Sequence, residues 1–303
     1  MWSDHRWNEK KIQERAVYVM KQKRSTFWRF FDGVGQFPTF LIWTAAICIV
    51  SMLASYFPLW VNVIVNVLLP VLVLVRLKMV MFEKLKLSTL VIMRALILLP
   101  IFGVMPGELF VKIVLVFLVI NCMEATMTDL LKNHQPFNFV TGLVLSLSVF
   151  TLAGKWIPDI AGPFSAIYTS NAGLRTAELF VTDEVVVIGT VCWLAAYTIW
   201  NWLFVIGEFS PSIGYLHIGI LSSPIISILL TMNPGYWLVF RANSLTCGGV
   251  FQIYCKEDIE KKLENKKMAS FIEKVKSGPV QIALMIINLI LIAVPVAIYF
   301  GII

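Results

Sequence analysis

The chain has 303 residues, of which 58% are hydrophobic and 14% charged, and its formal net charge is +7. A soluble domain carries about 45–50% apolar and about 25% charged residues, so this composition excludes an ordinary pair of soluble domains and marks a polytopic membrane protein. The positive balance does not indicate a nucleic-acid partner: no recognised motif accompanies it, and the basic residues fall in blocks between apolar runs, as in cytoplasmic loops held against anionic lipid.

In chain order, residues 1–36 hold eight Lys or Arg but no apolar core of signal-peptide type. The first span is therefore expected to act as an uncleaved anchor. Basic residues here interleave with Trp7, Ile12, Val19, Trp28, Phe30 and Phe31, a pattern predicting an amphipathic helix on the cytoplasmic surface. Crossing a hydrocarbon core of about 30 Å takes roughly 20 apolar residues. Nine stretches meet or approach that length: 37–57, 59–82, 88–104, 108–131, 136–154, 184–206, 211–232, 236–255 and 279–303. The third is the shortest and contains Arg94, so a re-entrant path is its alternative.

Before the last span, Ile259, Leu263, Ile272 and Val275 recur at near-helical spacing among lysines and glutamates, up to the Gly278-Pro279 break. This reads as a second interfacial helix, facing lipid or a partner protein. With the N-terminus inside, 20 of the 25 Lys and Arg lie on the cytoplasmic side, whereas the external loop 155–183 holds only Lys155 and Arg175. The fold expected is an all-α, polytopic helical membrane bundle of about nine transmembrane helices, N-in and C-out. It comprises a basic helix (1–36), a bundle (37–255), a charged helix (256–278) and a final span (279–303).

A lone charge in hydrocarbon costs from about 2.5 to over 10 kcal/mol, so polar residues inside spans must face the bundle interior or water. Asn121, Glu124 and Thr128 share one face of the fourth predicted span. Tyr197, Asn201 and Glu208 form a stripe on the sixth. Depth counted from the apolar ends brings Glu124, Arg94 and Asn201 to one level, as an inner-half polar site, with Asp129 and Asn138 nearer the cytoplasmic mouth. Arg241 and Asn243 lie on the eighth span. Arg241 falls in its outer half, near the depth of Asn62 and Asn66, where it could form an outer site or snorkel to the surface. Each of these groups could be a substrate- or ion-binding site or a structural hydrogen-bond network. His217 reads as a satisfied buried polar residue.

The five cysteines include no CxxC pair, and no catalytic or nucleotide-binding motif is present. The expectation is therefore no metal and no cofactor. The segments NCMEATMTDL (121–130), PFNFVTGLVLSLSV (136–149), AAYTIWNWLFV (195–205) and YWLVFRANSL (236–245) occur in an order and spacing that resemble an uncharacterised family of bacterial multi-pass membrane proteins. The resemblance spans roughly residues 40–255. It rests on the Glu124/Asp129, Pro136/Asn138, Trp200/Asn201 and Arg241/Ala242 pairs, and implies a bacterial cytoplasmic membrane with no activity to carry over. Phe240 stands where the family pattern has a histidine. Three functions follow as expectations: a small-molecule or ion transporter or channel; a membrane enzyme acting on a lipid-linked substrate with Glu124 or Asp129 as base; and a non-catalytic scaffold or sensor.

Overall fold

The computed structural model describes residues 26–76, 81–152, 184–232 and 234–303. The predicted basic helix up to residue 25 and the predicted external loop lie outside them. The chain divides into two units, 1–42 and 43–303. In the first, helix α1 (Thr26–Asp32) precedes the start of α2 (Gln36–Tyr56), where the Thr39 hydroxyl donates to the Gly35 carbonyl and Phe37 stacks on Phe40.

The second unit is all-helical in class, with turns but no strand among its described residues. The rest of α2 is followed by a π-helical turn (Val63–Leu68) and by α3 (Leu69–Arg76), α4 (Met81–Leu96) and the short α5 (Leu98–Ile101). Next come α6 (Gly107–Leu131), α7 (Pro136–Leu147), α8 (Glu184–Glu208), α9 (Pro211–Thr231) and α10 (Trp237–Tyr254). Two short helices, α11 (Lys256–Lys262) and α12 (Lys266–Val275), lead to α13 (Gly278–Tyr299).

Among the described residues, five helices are long and apolar enough to cross a membrane: 36–56, 109–131, 184–208, 211–231 and 278–299. They give the chain the build of an integral membrane protein. The other four predicted spans are helical but shorter or more polar. The second is interrupted by the π-turn, and the third breaks between α4 and α5, where Pro100 removes a backbone donor. The fifth gives way after 12 residues to a 3-10 turn, Val149–Leu152, in which Ser148 and Thr151 hydroxyls bond back to backbone carbonyls. The eighth is only 18 residues long and carries Arg241, Asn243, Ser244, Thr246 and Gln252.

α8 is the hub, packing on α13, α9, α7 and α6, while α10 joins α9 and α4. The core around α8 is aromatic: Trp193, Trp200 and Trp237 are at most 1% exposed, and Trp193 stacks on Tyr197 with centroids 5.5 Å apart. Such rings supply large buried area and hold one another's orientation.

The predicted surface helix 256–278 is corrected in one respect. Its four apolar positions, Ile259, Leu263, Ile272 and Val275, are buried, and Ile272 and Val275 pack on Leu203 and Ile206 of α8. The stripe expected to face lipid instead docks on the protein's own bundle. Asn265 caps α12 by accepting from the Lys267 and Met268 amides, and the Ser210 and Ser212 hydroxyls bond to Glu260. Ile272→Val should therefore lower stability by about 1 kcal/mol, the usual cost of one buried methyl. Lys261→Gln and Lys267→Gln, at exposed positions, should change it by less than about 0.5 kcal/mol. Thermal unfolding of the purified variants checks both.

Candidate functional site

The sequence puts an arginine on the fifth residue of α10, among apolar neighbours, and the fold surrounds it. Arg241 is 3% exposed. Its Nε donates to the Tyr197 hydroxyl at 3.4 Å and its Nη2 to Asn201 Oδ1 at 3.3 Å, while the guanidinium carbon sits 5.6 Å from the Tyr197 ring centroid. Tyr197 and Asn201 are one turn apart on α8, so a single arginine spans both. Trp193 and Trp237 fix the Tyr197 ring from two sides. Asn201 Oδ1 also lies 3.3 Å from His217 Nε2 on α9, and His217 Nδ1 lies 3.4 Å from Gln252 Oε1 on α10. The Arg241 Nη1 is buried and has no hydrogen-bond partner.

These groups border a cavity of about 80 Å³. Asn121 of α6 enters its wall, as do Leu90, Phe204, Gly249 and Lys256, and no aspartate or glutamate lines it. Arg241, Leu245, Gly249, Gln252 and Lys256 all line it from one face of α10 and its continuation, at spacings of 4, 4, 3 and 4 residues. A smaller void of about 40 Å³ shares Leu90, Asn121, Tyr197 and Arg241 with this cavity. A third, of about 20 Å³, shares Met93, Val114, Leu238 and Ala242 with the second and reaches Arg94. A row of voids thus runs from Lys256 past Arg241 to Arg94.

The expected inner-half site changes composition. Arg94 is buried, its Nε has no partner, and no ion pair joins it to Glu124. It sits beside Phe110 and Val114 of α6. Glu124 is ten residues farther along that helix, about 15 Å at 1.5 Å per residue. α4 begins at Met81, seven residues before the apolar run, so Arg94 lies about 20 Å from the helix start. Asn201 bonds instead to Arg241 and His217. Glu124 is partly buried, and its backbone carbonyl accepts from Thr128. Glu124→Gln and Arg94→Met should therefore have additive effects on thermal stability, to within about 0.5 kcal/mol, as expected for residues that do not touch.

Asp129 is fully buried in a separate cluster. Its Oδ1 accepts from Asn133 at 3.1 Å and its Oδ2 from Asn138 at 2.6 Å. Asn138 also donates to the Trp200 carbonyl at 3.3 Å, tying the α6–α7 turn to α8. Glu208 takes an ion pair from Lys132 at the same end. A groove of about 240 Å³ beside this turn is lined by residues such as His134 and Lys276 and contains no buried charge. Asn243 belongs to a third network: Asn66 donates to Asn62 Oδ1 and to Asn243 Oδ1, Asn243 donates to Ser55 Oγ, and Asn62 donates to the Arg94 carbonyl. That network cross-links the π-turn to α2, α10 and α4. The Arg241 residue that could snorkel outward instead points into the bundle.

His217, Gln252, Gly249 and Lys256 were not among the candidate residues. The spacing from Arg241 through Gln252 to Lys256 carried a signal for two of them. No known family model, curated protein or solved structure matches the chain.

Proposed function

We propose that this is a multi-pass protein of a bacterial cytoplasmic membrane, with nine spans, its N-terminus inside, and anionic lipid at its basic cytoplasmic segments. In this reading it transports or conducts a small molecule or ion through the Arg241 cavity. The observation that carries the proposal is the buried cation itself: Arg241 is held by Tyr197 and Asn201 beside an open cavity, with one guanidinium nitrogen unpartnered. A purely structural arginine would be expected to be fully bonded, because an unmade buried bond costs about 1–3 kcal/mol or more for a charged group. The row of voids toward Arg94 supports movement past the site. An enzyme with Glu124 or Asp129 as base gains less support, since neither carboxylate lines these voids.

Reconstituted proteoliposomes test the proposal. Tracer flux is measured for a panel of small anions, cations, amino acids and sugars, with protein-free liposomes as blank. At least one solute should cross above the blank, and Asn201→Leu should reduce that flux at least tenfold. No flux for any solute, or flux indifferent to Asn201, would contradict transport through this site.

A further inference from the structure

The site's charge and wall chemistry select a ligand class, an inference that rests on the cavity being the functional site. Arg241, His217 and Lys256 border it, and no carboxylate does. The Arg241 side chain is 97% removed from solvent, yet its Nη1 has no acceptor. A buried guanidinium is stabilised by an acceptor of opposite charge, and its fork geometry suits the oxygens of a carboxylate or phosphate. The remaining wall is apolar, with Leu87, Leu90, Phe204, Val205 and Ile253. An inorganic ion would leave that wall uncovered, whereas an acid head on a hydrocarbon body would use both surfaces.

We infer that the cavity binds an amphiphilic anion, with its phosphate or carboxylate head on the Arg241 guanidinium and its apolar body against α4 and the end of α8. Asn201 and His217 position the guanidinium. Gly249 sets the room available: a Cβ built there meets no atom within 4 Å, so a larger side chain would occupy the cavity without displacing the fold. The ligand could come from solution or from an anionic lipid headgroup, with the same chemistry at Arg241.

The test uses the full chain in phosphatidylcholine nanodiscs, titrated with octyl phosphate, inorganic phosphate, octanol and octylammonium, and read as thermal shift and apparent Kd. Octyl phosphate should raise Tm and bind at least tenfold more tightly than inorganic phosphate, with no shift from octanol. Arg241→Gln should weaken octyl phosphate at least tenfold. Gly249→Leu should abolish the shift while keeping the ligand-free Tm, so the result does not depend on an arginine variant that fails to fold. In discs containing phosphatidylglycerol, a weakened octyl phosphate titration would support the inference with a lipid as the source. An unchanged titration there would support it with a soluble anion as the source. If octanol or octylammonium binds as well as octyl phosphate and Gly249→Leu blocks them, the anion assignment is overturned while the cavity stands. If no probe responds to Gly249→Leu, the cavity reading itself falls.

Discussion

Gly142→Val should destabilise the protein by about 3 kcal/mol, at the upper end of the usual cost of overpacking a core. A Cβ at this position of α7 would lie 2.2 Å from Thr126 Oγ1 and 2.4 Å from Trp200 Nε1. The threonine hydroxyl can rotate away. The indole cannot, because Trp200 is 1% exposed, packs against Tyr197 and has its carbonyl held by Asn138. Adding Thr126→Ala should therefore recover only a minor part of the loss, as measured by thermal unfolding of the single and double variants. Full recovery would mean the hydroxyl was the obstacle. Because Asn201 follows Trp200 directly, a displaced indole should also weaken ligand binding at Arg241.

Asp129→Leu should cost about 3 kcal/mol. Hydrogen bonds to a charged group contribute about 1.5–3 kcal/mol, and removing the carboxylate strands two amide donors, on Asn133 and on Asn138 at 1% exposure. Asp129→Asn should cost less, since one amide oxygen still accepts. Asn138→Leu in the Asp129→Leu background should add less than it does alone, because its principal acceptor is already gone. Denaturant midpoints for the four proteins check this coupling, and strictly additive losses would contradict it.

The helical membrane-spanning character was legible because apolar run length reports it directly. Tyr197 and Asn201 were each recognisable as inward-facing, since a polar side chain on an apolar helix has few other places to go, whereas the sequence alone left Arg241 equally compatible with snorkelling to the surface. Their pairing was not legible. The apolar run begins at residue 88, but α4 continues back through Lys86 and Lys84 to Met81. That offset of seven residues, about 10 Å, accounts for most of the roughly 15 Å between the levels of Arg94 and Glu124. His217 was obscure for a different reason: its partners Asn201 and Gln252 are 16 and 35 residues away, and only tertiary packing joins them. Amphipathic spacing in 256–278 identified an apolar face but carried no information on what covers it. The aromatic packing around Tyr197 likewise depends on helix crossings that no local pattern encodes.

Thiol accessibility at position 249 tests most directly whether a water-accessible cavity reaches the buried arginine. Gly249→Cys is made in a background lacking the five native cysteines, with Ser244→Cys on the same helix as a fully buried control. Inverted and right-side-out membrane vesicles are then treated with a membrane-impermeant anionic methanethiosulfonate. An open cationic cavity requires Gly249→Cys to react at least tenfold faster than Ser244→Cys from one of the two faces, and Arg241→Gln to slow the anionic reagent but not a neutral one. Modification at 249 no faster than at 244 from either face would contradict it.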